Sequence, residues 1–142
     1  MSVIKVDAIQ TTGGASEIAI DKIKGVTAAG SIVITDTNGN VTTNIQQGLA
    51  KFWLSANGAA SLDESFNIAS GTDNGTGDYT YAITNDMSSI KYSPGANDNT
   101  SGNNLLNVFA TAAATIRVNS HVADSGTAAD NNNLVQGHGD LA

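Results

Sequence analysis

The chain has 142 residues and a formal net charge of −7, with only 13% of its residues charged, against roughly 25% in an ordinary soluble domain. Its 6 Lys and Arg residues are scattered, so it lacks the clustered basic face that phosphate contacts require, and no nucleic acid is expected as a partner. No run approaches the ~18 apolar residues of a membrane helix, and the absence of cysteine excludes disulfides and thiolate metal sites.

Polarity comes instead from Asn, Thr, Ser and Gly, which suit turns, short strands and solvent-facing sheet surfaces, while the helix formers Glu and Lys are scarce. The composition therefore predicts an all-β protein, of a length for one domain or a smaller domain with an extended arm. Much of the apolar content is Ala, so a core built by one copy would be thin, and oligomerisation is the expected route to stability. Met1 to Gly14 shows neither the basic start nor the apolar run of a signal peptide, so a soluble product made in the cytoplasm is expected.

In chain order, SVIKVDAIQTT alternates Val3, Lys5 and Asp7 against Ile4, Val6 and Ala8 and reads as a strand ended by Gly13-Gly14. EIAIDKIKGV, with Ile18, Ile20 and Ile23, fits a short strand or one helical turn, the strand being preferred. SIVITDTNGNVTTNI flanks Asn38-Gly39 with β-branched residues and predicts a hairpin. Asn-Gly recurs at Asn57-Gly58 and Asn74-Gly75, which punctuates the chain into short strands. PGANDNTSGNN, Pro94 to Asn104, has the composition of a long loop; LLNVFAT and TIRVNSHV read as strands, Asn104 to Ala114 being the one stretch open to a helical reading. SGTAADNNN is a second polar loop and LVQGHGDLA a weak final strand.

AKFWLSANG (Ala50 to Gly58), SFNIASGTDNGTGDYTYAIT (Ser65 to Thr84) and Asp86-Met87 together resemble a module found at the C-terminal ends of bacteriophage tail-fibre and related virion proteins. In such proteins an Ala-Lys-x-Trp strand leads through Asn-Gly to a Ser-Phe-Asn strand, a Thr-Asp-Asn-Gly-Thr-Gly-Asp-Tyr-Thr loop and an apolar strand. TIRVN and LVQGHGDLA match the closing strands loosely, and VIKVDAIQTTGG is similar to the openings of phage fibre-like proteins. Most proteins of this kind are long fibres, whereas this chain has little room for a shaft. The resemblance implies a short spike, or a head fibre or decoration protein carrying the same module.

Several side chains invite a chemical reading. GTDNGTGD lacks the bidentate Glu that closes an EF-hand loop, so a hairpin tip is preferred, with Asn74-Gly75 and Gly77 at positive φ and Asp73 and Asp78 bonded to nearby amides. Asp63-Glu64 and Asp86 could form the carboxylate pair of a glycan-cleaving spike, but surface carboxylates are the preferred reading. His121 and His138 make no local metal motif, although His138, set between glycines, could meet its copies on a three-fold axis. Phe52, Trp53, Phe66, Tyr79 and Tyr81 are expected in the core, with Phe66 and Ile68 at strand spacing.

The expectation for the whole is an extended N-terminal arm with a β-hairpin over 1–49, then a compact antiparallel β-sandwich over 50–142, assembled as a homotrimer. Val3, Ile4, Val6, Ile9, Ile18 and Ile20 are the candidates for anchoring the arm to other virion proteins of the tail or capsid. Asp73, Asn74, Asp78, Tyr79, Tyr92, Asn97 and Asn99 are the candidates for contact with a host-surface glycan or protein. No catalytic residue, metal ligand, cofactor or membrane insertion is expected. The alternatives are a capsid decoration or head-fibre protein gripping the shell by its arm and, with less support, a glycan-degrading spike.

Overall fold

The computed structural model describes residues 33–35, 38, 41–44, 48–100 and 102–142. The expected strands over 2–12 and 17–26, and all six anchoring candidates, lie outside the described residues.

The all-β expectation holds. β1 (Val33–Thr35) and β2 (Val41–Asn44) form the expected antiparallel hairpin. Thr35 pairs with Val41, and Asn38 lies between the two strands as a turn residue. β3 (Phe52–Ala56), β4 (Leu62–Phe66), β7 (Ser93–Asp98) and β10 (Asn133–His138) make a four-stranded antiparallel sheet in the order β4-β3-β10-β7. β5 (Ile68–Gly75), β6 (Asp78–Ile83), β8 (Asn104–Ala112) and β9 (Thr115–Val122) make a second in the order β5-β6-β9-β8. These are the first and second sheets below.

Alternation on the central strands sets which side of each sheet is buried. β3 turns Phe52, Leu54 and Ala56 inward, β6 turns Tyr79, Tyr81 and Ile83, β9 turns Ile116 and Val118, and β10 contributes Val135. Because these residues from both sheets form one apolar cluster, the sheets face each other as a sandwich. Gly137 on β10 is required by that packing: a Cβ there would lie 2.1 Å from Cζ of Phe52. The Phe52 ring in turn meets Tyr92 edge-on, with centroids 6.0 Å apart.

Three expectations are corrected. The eight residues from Gly71 to Asp78 are not a long tip but mostly strand, with Gly71 opposite Tyr81, Thr72 opposite Thr80 and Asp73 opposite Tyr79, which leaves Thr76 and Gly77 as the turn. The first half of the loop expected over Pro94 to Asn104 is strand β7, with only 99–103 left as a connection, and Pro94 is tolerated because β7 lies at a sheet edge, where one side of the strand makes no ladder bonds. The strand expected for LLNVFAT is present as β8, paired along β9, and the helical alternative for that stretch is not adopted. Finally, Trp53 (40% exposed) and Phe66 (54% exposed) stand on the outer surface rather than in the core.

Phe66 and Ile68 do not share a strand, because Asn67 between them carries the chain from the first sheet to the second at φ 59°. Asn tolerates this left-handed conformation better than most residues. Its side chain locks the crossing: Nδ2 donates to the carbonyls of Lys51 (3.0 Å) and Asn85 (3.1 Å), and Oδ1 accepts from Asn85 N (2.7 Å).

Candidate functional site at the loop end

Because every strand pairing is antiparallel, the connections sort to two ends. The connections over 57–61, 76–77, 99–103 and 123–132 gather at one end, here the loop end. The chain enters at Lys51, crosses over 84–92 and stops after β10 at the opposite end, here the base, where Met87 bridges to Leu141.

The loop end is knitted together by Asp130. Its Oδ1 accepts from Gly77 N (2.8 Å) and from the hydroxyl of Tyr79 (3.1 Å), which ties the β5–β6 turn to the β9–β10 loop. Burial first, and then the bond to the Asp130 carboxylate, pushes the Tyr79 phenol well above its usual range. Backbone bonds reinforce the junction: Ser120 N donates to Gly77 O (2.8 Å) and Ala129 N to Ser120 O (3.1 Å). These approaches leave no room for side chains at two positions. A Cβ at Gly71 would meet Ala60 O at 2.1 Å, and one at Gly77, where φ is +69°, would meet Ser120 O at 2.3 Å.

Other turns at this end hold their own backbone. Asn57 Oδ1 accepts from Ala59 N (2.9 Å) and Ser61 N (3.1 Å), so Asn57-Gly58 is a turn, as expected from sequence. Asp98 accepts from Thr100 N (3.0 Å), Thr100 Oγ1 and Asn104 Nδ2 (2.6 Å). Burial would raise the Asp98 pKa, but these hydrogen bonds outweigh it and hold the carboxyl below its usual range. Asn103 reaches across to Asp124 at 2.6 Å and joins the β7–β8 and β9–β10 connections.

The seven contact candidates do not form one cluster. Asp73 is exposed, and its Oδ1 accepts from Gly75 N (2.9 Å), the backbone-capping role expected of it. Asn74 donates to Thr80 Oγ1 (2.9 Å). Asp78 faces outward on the second sheet and is gripped by Arg117, whose Nε donates to Oδ1 (2.7 Å) and Nη2 to Oδ2, with Asn119 adding a bond at 3.2 Å. The Arg117 hydrogen bonds are the main reason the Asp78 carboxyl lies below its usual range. Tyr79 is fully buried and unable to meet a receptor. Tyr92 is a strut at the base end, its hydroxyl donating to the carbonyls of Ala112 (3.0 Å) and Thr115 (2.8 Å), and burial pushes its pKa up to about 12. Asn97, on β7, and Asn99, in the connection after it, are exposed. Sequence reasoning missed Asp130, Asn67 and Arg117, whose partners are 16 to 53 residues away in the chain.

The carboxylates considered for glycan cleavage are not gathered. Asp63 and Glu64 lie on β4, whereas Asp86 lies in the base connection after β6. His121 ends β9 near the loop end, and His138 ends β10 at the base. Among the described residues no group of three or more His, Cys, Asp or Glu side chains is placed to hold a metal ion, and no helix is long and apolar enough to cross a membrane. Comparison with protein-family models, curated proteins and solved structures gives no match for this chain.

Proposed function

We propose that the chain is a structural component of a bacteriophage virion, a short fibre or spike whose two-sheet module is held at its base and displays its loop end at the particle surface, with adhesion to a host glycan or protein as the role of that end. One observation carries the reading: the two ends differ in chemistry. Five of the seven large exposed apolar side chains among the described residues, Leu49, Trp53, Phe66, Ile90 and Leu141, belong to the base or the strand ends beside it. The connections at the loop end consist of Asn, Gly, Ala, Ser, Thr and Asp, cross-braced by Asp130, Asn57 and Asn103. A sticky base and a mainly polar, cross-braced tip, where Leu105 at the start of β8 is the one large exposed apolar side chain among the described residues, suit a part that is buried at one end in an assembly and meets solvent at the other. The resemblance of AKFWLSANG and SFNIASGTDNGTGDYTYAIT to fibre-end modules points the same way.

The homotrimer belongs to this proposal. A core of 11 buried hydrophobic residues among the described residues, without disulfide support, leaves one copy a modest margin over its chain entropy. The test is incorporation: particles assembled with the full chain should carry it, and deletion of Met1 to Ile45 should leave a folded module that stays in the supernatant. Truncated protein found on particles at the level of the full chain would remove the anchoring role. Position on the particle then separates a tail spike from a head-surface decoration protein.

A further inference from the structure

The outer face of the second sheet carries two rows of side chains in direct register, next to the turn over 76–77 at the loop end. In the first row Asp78 on β6 lies opposite Asn119 on β9, and Asn119 opposite Asn107 on β8. In the second, Thr80 lies opposite Arg117 and Arg117 opposite Phe109. The planar polar groups at the centre are already fixed: Arg117 holds Asp78 through Nε and Nη2, and Asn119 Nδ2 gives Asp78 a further bond at 3.2 Å. They nevertheless reach solvent, the side chains of Asp78 and Arg117 being 23% and 44% exposed, with Asn107 exposed beside them. Phe109, 38% exposed, stands at the end of the second row. The next row toward the base, Ala82 opposite Thr115, is small, which leaves the ring standing above its surroundings on that side.

We infer that this face is a glycan-binding surface, on which a pyranose ring of a neutral oligosaccharide stacks its C–H side on Phe109 and offers its hydroxyls to Arg117, Asp78, Asn119 and Asn107. The inference rests on the proposed adhesion and names its surface and the class of its ligand. Three observations select an uncharged sugar. Donors and acceptors stand side by side: Asp78 takes only part of the Arg117 fork, its carboxylate accepts, and the amides of Asn107 and Asn119 do both. Adjacent sugar hydroxyls, each a donor and an acceptor, need that alternation. Charge gives the second argument. Among the described residues Arg117 is the one Lys or Arg away from the base, where Lys51 and Lys91 lie, and Asp78 neutralises it. With a net charge of −7 the chain repels a phosphorylated or carboxylated polymer and meets a neutral one without that cost. The third is the scarcity of apolar surface: Phe109 is the sole large apolar side chain in the two rows, too little for the centre of a protein interface but enough for one sugar ring. Because Asp78, Arg117 and Asn119 are held before any ligand arrives, binding has few side chains left to order, which favours a ligand that makes few contacts.

The test offers the full chain to an array of immobilised bacterial-surface glycans, neutral and acidic, and then measures affinity for a retained neutral oligosaccharide by calorimetric titration. Neutral glycans should be retained and acidic ones not. Phe109→Ala should weaken binding by roughly tenfold, and so should Arg117→Lys, which keeps the charge but loses the planar fork. Asn99→Ala at the loop end and Trp53→Ser on the first sheet should leave affinity unchanged, and circular dichroism should show all four variants folded. Retention of no neutral glycan, or of acidic glycans alone, overturns the inference whether or not the chain is incorporated into particles. Binding that Asn99→Ala abolishes and Phe109→Ala does not touch keeps adhesion at the loop end and removes this surface. Binding that depends on Phe109 in a chain absent from particles upholds the surface and removes the virion reading instead.

Discussion

Replacing Gly137 by Ala tests the packing of the two sheets at one atom. The added methyl would lie 2.1 Å from Cζ and 2.2 Å from Cε1 of Phe52, where unstrained carbon contacts are about 3.5–4.0 Å. The ring must therefore retreat by more than an ångström. Phe52 is fully buried, and its ring is set edge-on against Tyr92, whose hydroxyl is fixed by the carbonyls of Ala112 and Thr115. Any retreat is thus passed to a tyrosine that is itself pinned. Overpacking of this kind costs about 1–3 kcal/mol, and the rigid surroundings place this site at the upper end. For a domain of this size that corresponds to a fall in Tm of about 8–20 °C. Thermal and urea unfolding of Gly137→Ala, followed by near-UV circular dichroism, should show it. Gly95→Ala, whose methyl meets nothing, should stay within about 0.5 kcal/mol of wild type. Phe52→Leu should cost less in the Gly137→Ala background than alone, with a coupling of about 1 kcal/mol or more. A loss below about 0.5 kcal/mol for Gly137→Ala, or strictly additive costs, would refute the packing described.

Asp130→Ala should destabilise by about 1–3 kcal/mol, because the hydroxyl of buried Tyr79 and the amide of Gly77 lose their acceptor together; amide exchange at Gly77 should rise, and an unchanged exchange rate would show that Asp130 is no clamp. Asp73→Ala should cost about 0.5–1.5 kcal/mol through the lost Gly75 amide bond, with no dependence on calcium; a Tm that rises with calcium and falls with chelator would restore the cation-loop reading. In alkali the buried phenols govern stability: the pKa of Tyr79 is raised and those of Tyr81 and Tyr92 lie at about 12. Folded values above the unfolded value of about 10 mean that this contribution is complete below pH ~10 and is lost as pH rises through the folded values. Denaturation midpoints should therefore fall between pH ~10 and ~12, less steeply in Tyr92→Phe, and a flat profile would contradict the burial of the three hydroxyls.

The parts of the fold that could be read in the sequence are those where local pattern and burial agree. DYTYAI alternates, and its apolar rings face the core; TIRVNSHV does the same on the neighbouring strand. Asn57-Gly58 is a turn, as its composition predicts, because Asn57 caps its own backbone. Expectation failed where neutral polar residues form strands. Gly71 to Gly75 and Ser93 to Asp98 are strands at sheet edges, where a small or polar residue suits solvent and Pro94 needs no ladder bond. Phe66 and Ile68 keep strand spacing in the sequence, but the φ of Asn67 breaks the strand between them, and nothing local announces that turn. The loop end was legible only as polarity. Its bracing depends on Asp130 meeting Gly77 and Tyr79, partners more than fifty residues apart that the folded chain alone brings together.

Orientation on the particle is the most direct test of the account, and a sequence without cysteine makes it accessible. Single cysteines placed at Thr76 in the loop-end turn and at Phe66 beside the base can be probed with a membrane-impermeant maleimide on intact, purified particles. Both positions are exposed in the single chain. The account predicts that Thr76→Cys is labelled on particles as fully as in free protein, while Phe66→Cys is protected on particles and labelled in the dilute free chain. Labelling of Phe66→Cys with protection of Thr76→Cys would place the loop end against the particle and contradict display of that end.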